Sequence, residues 1–570
     1  MLMRSSSRIP RGSAVAALLV LCAVLYVPPA VLTPFFTKGE PREALVVRRM
    51  VEEGDWVLPK RTSGNGWVIA SKPPFFHWLG ALASSAAGRT SEFTTRLPSL
   101  VLGTAAVLLV WIVGSTLLPP RAALAGAVVL ATTFEWVRAV SSARVDGTLG
   151  ALMTGGLLLF YRGFVRGGLS PVEAIAAYTC LICATLTKGP VGFVLPALVL
   201  GAALAVQGRL RQLPRFHPVL GGLLILIVAG GWYLAAWHLG GEAFVRTQVL
   251  KENVFRFLGA SRLKSGHEHP FYYYPPTLAA GLLPWTPLVL GALLAAARSP
   301  AARREPRTAF LLVWFAVIFI FYSVASSKRS VYLLPLYPAA ALLTGWWWDE
   351  LASAKTTPRW LGGQMAQGIV ALAGVAVALP LLVVLAEGVG FAPFALLAPL
   401  LHAKDQANLP IVSGVIDTYL PLVVAGLAVM LSALVVALTA VRREQWARLF
   451  VASATLAIAL WLLVFGVFQP ALARQRTLAP FFTVVTRETA GHIVYFYPDT
   501  FDFGAAFYAP PGVRHWRPQG HGPGPHYLLI WDDALAALSS GVRAELEVLA
   551  SSEGTDPKGA RHLSLVRSSH

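Results

Sequence analysis

Apolar runs long enough to cross a bilayer recur along this 570-residue chain, and the short loops between them alternate in charge. In lipid a run of this kind closes its own backbone hydrogen bonds as a helix; in water it would leave a wide apolar surface uncovered. The runs fall near 14–33, 97–117, 122–139, 147–163, 172–186, 190–207, 219–239, 276–297, 309–325, 332–348, 366–387, 419–440 and 449–468. That gives about thirteen spans. Arg4, Arg8 and Arg11 precede the first run. Every second loop after it is basic and almost free of acids: Arg121; Arg162 and Arg166; Arg209, Arg211 and Arg215; Arg298, Arg303, Arg304 and Arg307; Lys355 and Arg359; Arg442, Arg443 and Arg448. This positive-inside pattern places the N-terminus in the cytoplasm. With an odd number of spans, the segment from 469 lies outside. No small-x-small cleavage site follows the first run, so it is expected to stay as a helix rather than leave as a signal peptide.

The net charge of +19 would suggest a nucleic-acid partner in a soluble chain. Here the basic residues are spent on topology, and no nucleic-acid partner is expected. Cys22, Cys180 and Cys183 all lie inside apolar runs, where they read as small packing residues. The expected architecture is an α-helical polytopic membrane protein over 1–468, with outer loops at 34–96 and 240–275, and a small α/β domain over 469–570. In that domain 493–497 and 527–531 read as buried strands and 534–549 as an amphipathic helix.

The polar chemistry gathers on the outer face. Lys38-Gly39-Glu40-Pro41-Arg42-Glu43, Arg144-Val145-Asp146 and Thr187-Lys188-Gly189-Pro190 all sit at the edges of spans facing one compartment. A charge at the edge of hydrocarbon costs free energy unless it is paired, hydrated or used. Lys188, Arg256, Lys328 and Arg329 run against the positive-inside trend, so another demand keeps them there. An anionic ligand such as a phosphate is the simplest. His267 and His269 form a His-x-His pair without an evident third ligand, so no metal is assigned to it. A transporter or lipid flippase is the rival class. It would place charges near the bilayer midplane and show repeated halves; these charges cluster at one face and no half repeats.

The ordered set Gly-Glu-Pro-Arg-Glu-Ala, Gly-Asp-Trp-Val-Leu-Pro, Ser-Lys-Pro-Pro, Arg-Leu-Pro (96–98), Ala-Arg-Val-Asp (143–146), Lys-Gly-Pro (188–190), Glu-Asn-Val-Phe-Arg-Phe (252–257), His-Pro-Phe-Tyr-Tyr-Tyr (269–274), Leu-Pro-Trp (283–285) and Ser-Lys-Arg…Tyr-Leu-Leu-Pro (327–335) resembles one family. It is the bacterial membrane glycosyltransferases of the dolichyl-phosphate-mannose protein mannosyltransferase superfamily, with the aminoarabinose lipid A transferases as the nearest branch. The resemblance implies a C-type glycosyltransferase fold in the bacterial inner membrane. It implies an undecaprenyl or other polyprenyl phosphate sugar as donor and lipid A, a protein or another envelope glycan as acceptor. Carried over residue by residue, it gives Glu40 and Asp146 as catalytic carboxylates. It gives Arg42, Lys72, Lys188, Arg256, Lys328 and Tyr332 as the residues holding the donor phosphate. Two family acids are missing: Gly39 stands where the family has the leading aspartate, and Ser71 where it often has a glutamate. Their loss leaves a divalent metal cofactor open and unassigned. The chemistry is consistent, since sugar transfer from a phosphate needs a carboxylate to take a proton from the acceptor and cations to hold the departing phosphate.

Overall fold

The computed structural model describes residues 10–63, 66–255, 269–353, 359–388, 408–498, 500–510, 513–516, 526–556 and 561–568, with a few single positions between 391 and 406. Each of the thirteen runs falls on helix. Nine helices carry the first half: α1 (Arg11–Leu32), α2 (Gly39–Glu53), α3 (Phe75–Ala86), α4 (Glu92–Gly114), α5 (Pro120–Ala131), α6 (Phe134–Val140), α7 (Val145–Arg166), α8 (Pro171–Lys188) and α9 (Val191–Val206). Among the described residues eight helical stretches are long and apolar enough to cross a membrane, or ten if two bent pairs are each one span. The runs on α8, α9 and Tyr337–Ala352 are helical but fall short of that test in length or composition.

The two bent pairs explain why a hydropathy reading saw single spans. α5 and α6 meet at 63°, and Phe271–Gly281 meets Thr286–Arg298 at 117°. Thr132 and Thr133 break the first; Leu282 to Trp285, with Pro284 between, break the second. A helix break in an apolar interior exposes backbone groups that need partners. The breaks supply them to each other: the Phe134 amide donates to the Leu283 carbonyl at 3.0 Å, and the Trp285 indole to Thr132 Oγ1 at 2.9 Å. Tyr26 donates to the Ala131 carbonyl at 2.9 Å and Trp461 to that of Thr132 at 2.7 Å. The principal core surrounds this junction, with Trp111, Trp136, Trp285, Trp314 and Trp347 all buried. The cysteines pack between helices as expected, the position of Gly155 leaving room for the sulfur of Cys180.

α2 packs its apolar face inward, burying Leu45, Val46, Val47 and Met50 largely against α3, and ends at Gly54 in the left-handed conformation that favours glycine. A hairpin of β1 (Lys60–Ser63) and β2 (Gly66–Ile69) links α2 to α3.

The C-terminal region is a small α/β unit, as its strand signals predict. β3 (Val494–Phe496) runs parallel to β4 (Arg514–His515) and to β5 (His526–Trp531); β7 (His562–Ser568) is antiparallel to β5 and to β6 (Leu546–Thr555). Two expectations need correction. The boundary at 468 falls inside continuous helix, which runs on to Arg476. The helix expected over 534–549 is two single turns, Asp532–Ala536 and Ser540–Ala544, followed by β6. Ala537 to Ser539 interrupt the helix, with Ser539 at the N-cap position that serine favours, and the residues after Glu545 find strand partners on β7.

This unit rests on α2. Phe507 meets Phe35 edge-on with ring centres 4.9 Å apart, and the Arg48 guanidinium lies 4.4 Å above the Phe507 ring. Tyr508 donates to Glu92 at 2.6 Å and accepts from the Phe35 amide at 2.8 Å.

Candidate functional site

The three polar clusters, far apart in sequence, meet where α2 begins, α7 begins and α8 ends. Glu40, on the first turn of α2, is buried. It receives Arg96 Nε at 2.8 Å and Arg96 Nη2 at 3.2 Å, and the Ala143 amide at 2.9 Å. Arg96 is itself buried within α4 and also donates to the carbonyls of Ala30 at 3.0 Å and Thr33 at 2.5 Å. Burial alone would push the Glu40 pKa up, but the charge and hydrogen bonds of Arg96, with the Ala143 amide, bring it below the usual carboxylate range. Glu40 therefore clamps α2 to α4 and to the turn ahead of α7.

Arg42 does not pair with Glu40. Its fork closes on Glu43, with Nε at 3.0 Å and Nη2 at 2.5 Å, and the Glu43 carboxylate also binds His77 Nε2 at 2.9 Å. Burial opposes the charge on Glu43, but Arg42 and His77 outweigh it and keep its pKa low. Lys72 is buried against Glu252 in a close ion pair.

Asp146, in the first turn of α7, is paired with Lys188 at the end of α8 at 2.5 Å. The same ammonium lies 4.1 Å over the ring of Tyr332, a favourable cation–π arrangement. Lys328 is buried and donates to the Ala325 carbonyl at 2.6 Å. Arg256 and His267 lie outside the described residues.

Two cavities share this junction. The smaller, of about 220 Å³, is lined by Lys72, Lys188, Glu252, Asn253, Tyr322, Ser327 and Tyr332. The larger, of about 440 Å³, is lined by Glu40, Arg96, Arg138, Arg144 and Asp146 on one side and by Val412, Val415, Phe465, Phe468 and Leu472 on the other. The Asp146–Lys188 pair joins them, since Asp146 lines the larger and Lys188 the smaller. Of the predicted site residues, Glu40 and Asp146 thus face one cavity, and Lys72, Lys188 and Tyr332 the other. Arg42 lines neither cavity, being turned to Glu43.

Among the described residues no three of His, Cys, Asp and Glu converge as a metal site. Glu40, Glu43, Asp146 and Glu252 are each tied to a cation instead. Among the described residues these carboxylates do not form a donor set for a divalent ion.

Sequence reasoning gave no role to Arg96, Arg144, Glu43, His77 or Glu252. Arg96 carried a readable signal, since a charge within an apolar run needs a partner. The pairings of Glu43 and Glu252 left no such mark, because each acid lies in a polar stretch beside several cations.

A family profile described as "Dolichyl-phosphate-mannose-protein mannosyltransferase" matches residues 71–233. A protein of Aeromonas salmonicida named undecaprenyl phosphate-alpha-4-amino-4-deoxy-L-arabinose arabinosyl transferase is 30% identical over 374 residues, covering 63% of this chain and 65% of the relative. One of the same name from Pectobacterium carotovorum is 30% identical over 59% of each chain, and an uncharacterised protein of Aquifex aeolicus is 29% identical over 52% of this chain and 56% of that one. The chain thus spans less than two thirds of the length of these relatives. The crystal structure of ArnT from Cupriavidus metallidurans bound to undecaprenyl phosphate superposes with a TM-score of 0.75 at 20% identity, over 97% of this chain and 98% of that one. The chain therefore has that C-type glycosyltransferase fold and is a multi-pass membrane protein. The ordered motifs, the family profile and the fold agree, and the resemblance is to the dolichyl-phosphate-mannose-protein mannosyltransferase superfamily and, within it, to the aminoarabinose transferases.

Proposed function

We propose that this chain transfers a sugar from an undecaprenyl-type polyprenyl phosphate to an acceptor on the periplasmic face of the inner membrane, with lipid A as the acceptor. The observation that carries this reading is the pair of cavities joined by Asp146 and Lys188. A phosphate needs cations on its oxygens, and the smaller cavity offers Lys72 and Lys188 beside the ring of Tyr332. An amphiphilic acceptor needs a polar wall facing an apolar one, and the larger cavity has both. Aminoarabinose transferases among the relatives support the donor class and suggest the acceptor.

The chemistry follows from charge. As the bond from sugar to phosphate breaks, negative charge grows on the departing phosphate, and preplaced ammonium groups stabilise it without reorganising water. A donor phosphate entering the smaller cavity competes with Asp146 for Lys188. Asp146 is left facing the acceptor, while Glu40 acts at a distance by fixing the turn that carries Arg144 and Asp146. Asp146 is thus the residue at the reacting centre and Glu40 a positioning residue.

The test is binding followed by turnover. The full chain in nanodiscs should bind undecaprenyl phosphate, and Lys188→Ala should weaken that binding ten- to hundredfold, the effect of losing one charge-assisted contact worth about 1.5–3 kcal/mol. Unchanged affinity in Lys188→Ala would remove the donor site from the smaller cavity.

A further inference from the structure

Arg42 lines neither cavity, yet acids that line both act on it. The charge of Glu43 is the largest, followed by that of Glu252, in the smaller cavity, and of Asp146, in the larger. The half-buried guanidinium is anchored by one edge only. Its Nε and Nη2 donate to Glu43 Oε1 at 3.0 and 2.5 Å, while Nη1 donates to nothing among the described residues.

The anchor is itself held. An ionised carboxylate can only accept, so the imidazole donates the 2.9 Å bond between His77 Nε2 and Glu43 Oε2. His77 is fully buried in the first turn of α3, and its Nδ1 has no hydrogen-bond partner among the described residues. A buried acceptor without a partner costs free energy, and a phenyl ring would fill the same place without that cost. The hydrogen bond to Glu43 is what the imidazole adds. It orients the carboxylate and, through it, Arg42.

We propose that Arg42 is the counter-charge for Glu252 when a donor phosphate draws Lys72 away, and that Glu43 and His77 are the positioning residues that keep its open edge available. This rests on the sugar-transfer reading above. In the empty protein Lys72 balances Glu252 and Lys188 balances Asp146. A phosphate in the smaller cavity competes for both lysines. Asp146 keeps the charges of Arg329 and Arg144 acting on it. Glu252 keeps Arg42, whose unused donors take up part of the charge that Lys72 gives up. A carboxylate stripped of its partner in a partly buried site is costly, so this compensation tightens donor binding without Arg42 touching the phosphate. No bond to Arg42 forms or breaks covalently and no proton leaves it, because a guanidinium stays charged. The role differs from the direct phosphate contact that the resemblance implies for this residue, and it fits a side chain that lines neither cavity.

The experiment is a pair of double-mutant cycles on undecaprenyl phosphate binding to the full chain in nanodiscs. Arg42→Met should weaken binding about tenfold, the size of one charge acting across several ångströms in a partly screened site. In a Glu252→Gln background the same substitution should change nothing, since no acid is left to balance. His77→Phe should weaken binding to a similar extent, add nothing on top of Arg42→Met, and be rescued by His77→Gln, whose amide can donate to Glu43 in place of Nε2. Should either variant fail to fold, Arg42→Gln or Glu43→Gln takes its place in the same cycle. A loss in Arg42→Met that persists with Glu252→Gln makes Arg42 a direct phosphate ligand and overturns the proposal. So does unchanged affinity in Arg42→Met. Losses that add between His77→Phe and Arg42→Met reduce His77 to general support of the fold and overturn its positioning role. Failure of the sugar-transfer reading looks different: undecaprenyl phosphate would then not bind the unmodified chain, and both fall together.

Discussion

The two cavities of this protein hold their cations differently. In the smaller, each lysine has its acid: Lys72 has Glu252, and Lys188 has Asp146. In the larger, the cations are arginines: Arg96 and Arg138 are matched by Glu40 and Glu135, and Arg144 lies under the charges of Asp146 and Glu40, opposite a wall of apolar side chains. A paired site can stay closed and neutral until an anion displaces the acid from its lysine. On the function proposed above, the difference separates a pocket of paired lysines that a donor phosphate must open from a larger one whose polar wall faces an apolar one.

The largest expected effect tests whether Glu40 is structural. Glu40→Gln leaves Arg96 buried without its partner, and breaking a buried pair from one side costs about 3–5 kcal/mol. The variant should lose stability by that amount in thermal unfolding. Asp146→Asn should unfold close to the unmodified chain, because Lys188 can reach the cavity and the ring of Tyr332, yet lose most turnover. If Glu40→Gln is fully stable and inactive while Asp146→Asn is active, the roles given to the two carboxylates are reversed.

How much of this was legible differs between bundle and site. All thirteen helical runs were readable because lipid forces long apolar sequences into helix. The two breaks were not, since Thr132-Thr133 and Leu283-Pro284 sit in runs whose mean hydropathy barely changes there. The convergence of Glu40, Asp146 and Lys188 followed from charges at span edges. Their partners did not: Glu40 stood two residues from Arg42 and pairs with Arg96, 56 positions away. Sequence proximity alone would point to Arg42, but α2 turns Arg42 and Glu40 toward different neighbours. The 534–549 helix was misread because its apolar spacing suits a helix, while β7 offered strand partners that only the fold could bring.

A second prediction sharpens the difference between the cavities. Lys72→Ala and Lys188→Ala should each weaken undecaprenyl phosphate binding about ten- to hundredfold and leave lipid A binding nearly unchanged. Equal losses for both ligands would merge the two cavities into one site.

A smaller effect concerns the C-terminal unit. Tyr508→Phe removes the bond to Glu92 and leaves the Phe35 amide without its acceptor, which should cost about 1–3 kcal/mol. Turnover at moderate temperature should change little, since Tyr508 lines neither cavity. A large loss of turnover with unchanged stability would give this unit a direct part in the reaction.

The smallest effect is the pH dependence of stability. Glu40 and Glu43 have folded pKa values below their unfolded value, near about 4.3. Their contribution is complete above that value and is lost as pH falls through the folded values. Stability should therefore fall on acidification below about pH 4, and Glu40→Gln should flatten that fall. A slope unchanged by the substitution would mean that Glu40 is not held as a carboxylate by Arg96.

The most direct test of the central claim is sugar transfer itself. The full chain in nanodiscs is given undecaprenyl phosphate carrying aminoarabinose, together with lipid A, and the lipid A is weighed by mass spectrometry. The account predicts a mass gain of one aminoarabinose on the unmodified chain's product and its loss in Lys188→Ala. No mass gain with the unmodified chain, or an undiminished gain in Lys188→Ala, would contradict it.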